Sequence, residues 1–180
     1  MFPQLTTNRL VLKEIGIQQQ QQLFDIFSNN DVTQFYGMAS FHSIEQAETL
    51  IQSFQTLYEA KRGIRWGIFE KGSDNLIGTI GFHNLAPAHY RTEIGYELHP
   101  NYQRKGYMQE AIEAASQYAF QAMQLTRIGA IVFVENVASQ QLLLKSGFEQ
   151  EGQLRNYMYQ NNEPHDVIIF SKCVIKGTSL

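Results

Sequence analysis

The segment from Glu93 to Gln109 constrains this chain most, because it runs a strand-like alternation straight into a basic, glycine-containing turn that opens a helix. Such a junction suits a pyrophosphate. The first backbone N–H groups of a helix have no intrahelical partner, and the macrodipole places partial positive charge there, so an anion satisfies both. Gly106 permits close approach to the backbone, and Arg104 and Lys105 add charge.

The remaining composition excludes other classes. A chain of 180 residues, 43% hydrophobic, is expected to form one domain spanning residues 1–180; at this size roughly 70% of the unfolded surface is buried on folding. A net charge of −3 lacks the basic footprint of a nucleic-acid binder, so Arg104 and Lys105 read as local anion chemistry. The single cysteine, Cys173, excludes an internal disulfide and suits a reducing compartment. The N-terminal residues have no signal-peptide apolar segment, and no apolar run approaches the ~20 residues of a membrane helix. A cytoplasmic protein is expected.

Periodicity gives the element order. Arg9–Glu14 alternates as a strand, and Leu23, Phe24, Ile26 and Phe27 stripe a helix that follows the glutamine run. Ser43 and Gln46 have capping-box spacing ahead of a second helix carrying Ile44, Ala47, Leu50, Ile51, Phe54 and Leu57. Arg65–Glu70 and Leu76–Leu85 form a hairpin, and Thr92–Leu98 adds a strand. Tyr107–Gln124 is a helix, Arg127–Val134 a buried strand, and Val137 opens a helix that ends at a Gly147 cap. Phe148–Tyr159 and His165–Ile175 close the chain as a hairpin. The order β α α β β β α β α β β predicts an α/β (α+β) fold, with about seven strands in a mixed sheet and about four flanking helices.

Three motifs in order resemble the GNAT superfamily of acetyl-CoA-dependent N-acetyltransferases, in its ribosomal-protein (RimJ/RimL-like) branch. Gln103-Arg104-Lys105-Gly106-Tyr107-Met108 is similar to the family's pyrophosphate loop, with Met108 at a position that is small in many members. Glu93-Ile94-Gly95-Tyr96 precedes it, and Asn136-Val-Ala-Ser139 with Lys145-Ser-Gly147-Phe148 follows. The resemblance covers nearly the whole chain, including Asn8-Arg9-Leu10, and implies a mostly antiparallel GNAT sheet. It also implies acetyl-CoA as co-substrate, no metal, and an amine acceptor such as a protein N-terminus or a small molecule. A homodimer is consistent with the family.

The same resemblance assigns the donor site. The pantetheine arm would lie along Tyr96, Glu97 and Leu98, with a backbone N–H near Leu98 at the thioester oxygen and the pyrophosphate over Arg104–Met108. Gln103, Asn136, Ser139 and Lys145 complete the implied contacts. Asn136 and Ser139 also have the residue types of a helix N-cap.

Catalysis needs a neutral amine. An α-amine with pKa near ~8 is about 10% neutral at pH 7, while a lysine near ~10.4 is below ~0.1% neutral, a gap of roughly 3 kcal/mol. Alternation puts Glu93, Gly95 and Glu97 on one face of their strand, which leaves room for a substrate beside two carboxylates. Glu93 is the candidate base, directly or through water, and Ser139 the candidate acid, with Tyr157 or Tyr159 as alternatives. Where some RimL-like enzymes carry a glutamate before a tyrosine on the penultimate strand, this sequence has Met158-Tyr159, and Met158 accepts no proton. A non-catalytic acyl-CoA sensor of the same fold is the alternative reading.

Other residues give weaker patterns. Cys173, in a Val/Ile-rich strand, reads as a packed core thiol. The histidines at 42, 83, 89, 99 and 165 lack metal-ligand spacing, and His165 and Asp166 alternate to opposite faces. Trp66, Tyr96, Tyr157 and Tyr159 are either core or acceptor-pocket walls.

Overall fold

The computed structural model describes residues 1–174. Eight strands form one sheet, β1 (Leu5–Thr6), β2 (Leu10–Lys13), β3 (Ile64–Glu70), β4 (Leu76–Ala86), β5 (Arg91–Leu98), β6 (Arg127–Phe133), β7 (Glu149–Gln160) and β8 (Glu163–Cys173). Their spatial order is β1-β2-β3-β4-β5-β6-β8-β7. All pairings are antiparallel except β5 with β6. Five helices complete the fold, α1 (Gln20–Phe27), α2 (Asn30–Thr33), α3 (Ile44–Glu59), α4 (Tyr107–Gln121) and α5 (Val137–Lys145). The two-residue β1 and four-residue α2 are the elements beyond the predicted order, both too short to carry a periodic signal. Ile175, expected in the last strand, lies outside the described residues.

Local rules account for the boundaries. Gln46 Oε1 accepts the Ser43 backbone N–H at 3.1 Å and so starts α3. At the end of α5, Gly147 has φ +82°. Its N–H donates to Leu144 O at 3.1 Å while Phe148 N–H donates to Leu143 O at 3.0 Å. This is the Schellman arrangement, sealed by buried Leu143 and Phe148. Asn161 and Asn162, at φ +53° and +63°, form the two-residue turn that joins β7 to β8. The final helix turn expected at Gln124 is absent: α4 stops at Gln121, and Gln124 has φ +56°.

Apolar side chains pack on both faces of the sheet. Ala111, Ile112, Ala115 and Ala119 of α4 meet Trp66, Ile80, Ile94 and Ile128 in one core. Leu23, Ile26 and Phe27 of α1 meet Ala47 and Ile51 of α3 in the other, over Phe69 and Leu76. No helix among the described residues is long and apolar enough to cross a membrane.

The sheet divides in the middle. β5 and β6 pair only at Arg91–Arg127, Thr92–Ile128 and Glu93–Gly129. Beyond Glu93, β5 stays with β4 through Leu98, and β6 stays with β8 through Phe133. A wedge therefore opens between the two halves.

Candidate active site

The wedge exposes hydrogen-bonding backbone. His99 N–H donates to Ile77 O at 2.9 Å on the β4 side, so alternation turns the N–H groups of Tyr96 and Leu98 toward the wedge. Leu98 O faces that way too and accepts Gln103 Nε2 at 3.0 Å. An extended amide chain fits such an edge as an added strand.

The loop after β5 ends in two left-handed residues, Arg104 at φ +60° and Gly106 at φ +80°, and Gly106 caps α4. A β-carbon at Gly106 would be strained and would meet Arg9 Nη2 at 3.3 Å. Arg9 ties this loop to β2. Its Nη1 donates to Lys105 O at 2.9 Å, its Nε pairs with Glu110 Oε2 at 2.7 Å, and its guanidinium lies 4.6 Å from the Tyr107 ring centroid. Desolvation opposes ionisation of Glu110, but bonds from Thr7 and Arg9 outweigh it and hold its carboxyl below the ordinary value. Arg104 and Lys105 are exposed around free helix N–H groups. The fit for a pyrophosphate is thus charge, dipole and an uncrowded backbone together.

Below the loop lies a cleft of about 540 Å³, within the range of small-molecule sites. One wall is the wedge itself, with Tyr96, Ala130, Val132, Asn136 and Ser139. Asn136 Oδ1 accepts the Ser139 N–H at 3.2 Å and caps α5, which aims the Ser139 hydroxyl at Tyr96 Oη, 2.8 Å away. Burial pushes the Tyr96 phenol up to about 12. The rest of the lining is largely aromatic, with Phe35, Tyr36, Phe54, Phe133 and Tyr157 beside Met158.

Polar groups line the cleft or back its lining. Arg65 pairs with Glu97, both nearly buried, and donates from Nε to Thr79 Oγ1 at 2.9 Å and from Nη1 to Gly95 O at 3.1 Å. Burial disfavours the charged guanidinium, yet Glu97 beside it holds its pKa above the usual value. Burial, and then Glu97, raises the Tyr36 phenol, which stays protonated. At the mouth, Glu93 faces His83 across β4 and β5 and accepts Asn84 Nδ2 at 3.0 Å. His83, with Nε2 3.5 Å from Glu93 Oε2, is the main cause that keeps the Glu93 carboxyl below its ordinary value.

The match to the family model described as Acetyltransferase (GNAT) domain spans residues 9–149, from the Arg9 anchor past the Gly147 cap. The chain belongs to the GNAT acetyltransferase family. A Bacillus subtilis relative named uncharacterized N-acetyltransferase YoaA is 52% identical over 95% of this chain and 97% of its own. The Bacillus subtilis protein named putative ribosomal N-acetyltransferase YdaF is 32% identical over 69% of this chain and 67% of its own, which sets this GNAT protein with the RimJ/RimL-like branch, and the Escherichia coli ribosomal-protein-serine acetyltransferase is 29% identical over 73% of each chain. A solved Vibrio cholerae spermidine N-acetyltransferase, in complex with CoA and spermine, superposes with a TM-score of 0.80 at 22% identity, covering 91% of this chain and 95% of that one. At that identity the likeness is one of fold.

In this GNAT domain the residues singled out from sequence do not all meet. Tyr96, Leu98, Asn136 and Ser139 converge on the wedge, and Gln103 to Tyr107 form the loop above it. The Met108 side chain is buried in the core. Glu97 is committed to Arg65, so its side chain faces away from the wedge. Lys145 is exposed at the end of α5, where its carbonyl accepts Gln109 Nε2 at 3.4 Å. Tyr159 is exposed and does not line the cleft, whereas Tyr157 and Met158 do.

Trp66 is core, its Nε1 donating to Pro3 O at 2.8 Å. Cys173 is exposed rather than packed, because β8 puts Ser171 inside and ends at Cys173. His165 stacks on Phe133 and Asp166 accepts the Asn156 N–H, so the two make no dyad. Arg9, Arg65 and His83 were not found as site residues. For Arg65 a signal existed, since a charge inside an apolar strand demands a buried partner.

Proposed function

We propose that this GNAT domain transfers an acetyl group from acetyl-CoA to a primary amine, by direct attack in a ternary complex. The observation that carries the reading is the parting of β5 from β6 after Glu93 and Gly129, on a strand whose following loop ends in a left-handed Gly106 at a helix N-terminus. Arg104, Lys105 and the first amides of α4 would hold the pyrophosphate, and the free edge of Tyr96 to Leu98 the pantetheine. A wedge-facing N–H of β5, that of Tyr96 or of Leu98, would stabilise charge developing on the thioester oxygen. Ser139, backed by Tyr96, would return a proton to the departing sulfur.

The acceptor enters beside the aromatic wall, with Glu93 attracting a cation. Protein N-termini and small amines both meet that requirement, in keeping with the activities named for the relatives. A cytoplasmic enzyme working as one domain, with pairing of two copies through the edge strand β7 and its exposed Tyr157 and Tyr159, completes the proposal.

Met158 lines the cleft, and by the resemblance it stands where some RimL-like enzymes carry a glutamate before a tyrosine, which favours an acyl-CoA sensor instead. Calorimetric titration with acetyl-CoA, followed by a CoA-release assay over an amine panel, separates the readings. Saturable binding with sustained release supports the enzyme, and tight binding without release supports the sensor. No binding of millimolar acetyl-CoA eliminates both.

A further inference from the structure

His83 and Glu93 occupy directly paired positions on β4 and β5 and both line the cleft. Nε2 of His83 lies 3.5 Å from Oε2 of Glu93, the oxygen that also accepts Asn84 Nδ2. The other edge of the ring faces elsewhere. A β-carbon built on Gly95 would lie 3.5 Å from His83 Cε1, 3.7 Å from His83 Nδ1 and 3.2 Å from Arg65 Nη1. Gly95 has no such carbon, so a small space remains between an imidazole nitrogen and a guanidinium, on the strand that bounds the wedge.

We propose that His83 is the base that takes the proton from the acceptor amine, and that Glu93 is a positioning residue that orients the imidazole. This assignment rests on the acetyl-transfer reading above. A carboxylate that receives the Nε2–H fixes the tautomer in which Nδ1 carries a lone pair toward the Gly95 space. Such contacts commonly tighten once substrate is bound. Imidazoles ordinarily titrate near ~6.5, close to the working pH that makes a base effective, whereas a carboxylate accepts protons weakly at neutral pH.

The surrounding charges divide the work. Glu93 faces the ring from β5, with Arg91 further along that strand, and Arg65 faces the Gly95 space from β3. Glu97, the second carboxylate on this face, is occupied by Arg65 and Thr79. Arg65 disfavours an ammonium in that space and favours the neutral amine.

The acceptor ammonium gives one proton to Nδ1, and the freed lone pair forms the C–N bond to the thioester carbon. The C–S bond breaks with its electron pair on sulfur. The nitrogen loses its second proton as the amide forms, and that proton passes by way of the Ser139 hydroxyl to the thiolate, leaving Ser139 as it began. His83 releases its proton to solvent.

Two measurements on the full chain test this. Nitrogen-15 NMR of labelled histidine, assigned with His83→Gln, is expected to show the Nε2–H tautomer at position 83 and loss of that preference in Glu93→Gln. An Nδ1–H tautomer in the wild type would overturn the proposal. Turnover is then followed against pH with acetyl-CoA and, in turn, a serine-initiated peptide, an alanine-initiated peptide and spermine.

His83→Gln, or His83→Asn if the first does not fold, should lower kcat/KM for the amine at least ~100-fold and abolish the acidic limb of the profile. Acetyl-CoA affinity should stay within about threefold, and Glu93→Gln should lose about tenfold and keep the limb. A His83 variant that retains the wild-type limb and rate refutes the assignment. Absence of CoA release with every amine, despite normal acetyl-CoA binding and the expected tautomer, has a separate signature: it removes the transfer reading, and the base with it.

Discussion

Tyr96 Oη and Ser139 Oγ, 43 positions apart in sequence, stand 2.8 Å from one another across the gap left where β5 and β6 separate. The bond links a strand of one half-sheet to the helix that follows β6 in the other. With its phenol raised to about 12 by burial, Tyr96 keeps its proton at any physiological pH. Ser139 is then backed by a permanent hydroxyl partner. Ser139→Ala should reduce kcat roughly 10- to 100-fold while the acetyl-CoA dissociation constant stays within about threefold. Steady-state kinetics beside calorimetry measures both, and an unchanged kcat would remove Ser139 as the acid.

Gly106 supplies a second test. Its φ of +80° is unfavourable for any residue with a β-carbon, by about 1–2 kcal/mol. Gly106→Ala should therefore weaken acetyl-CoA binding at least tenfold with only a small loss in Tm. Gly106→Glu, which adds an anion at the phosphate position, should abolish binding. Retained affinity in the glutamate variant would place the pyrophosphate elsewhere.

The Arg65–Glu97 pair should dominate stability. Its side chains are only 8% and 1% exposed, so Glu97→Gln leaves a buried cation without its counter-charge. Breaking such a pair costs about 3–5 kcal/mol, and for a chain of this size roughly 2–4 °C of Tm accompanies each kcal/mol. A fall in Tm of about 6–20 °C is expected by calorimetry. Replacing both partners with apolar residues should recover much of it.

The anchor between Arg9 and Glu110 should be pH-dependent. Because the folded-state pKa of Glu110 is depressed, its stabilisation is fully present above the ordinary glutamate value and is lost as pH falls through the lower folded value. Glu110→Gln should thus lower Tm at pH 7, and the difference from wild type should vanish in strong acid. A difference that persists there would mean that the anchor does not act through the carboxylate.

Much of the fold was legible locally. The capping box at Ser43, the Gly147 cap and the strand alternations depend on neighbours within a few residues, and each appears where expected. The short β1 and α2 were not legible because neither spans one full period. The role of Cys173 was misread because a β-branched run marks a strand and not its buried end.

The amino-acid sequence by itself determined the order of the longer elements, the glycine-containing basic loop ahead of α4 and the family, because these are encoded by periodicity, turn chemistry and motif order. Only the tertiary structure decided which distant side chains meet. Glu97 turned to Arg65, His83 came opposite Glu93, and Ser139 reached Tyr96. Each encounter depends on strand register and on the length over which β5 and β6 stay paired. Both are set by packing of the whole sheet against α1, α3 and α4, a balance that no local stretch of sequence contains.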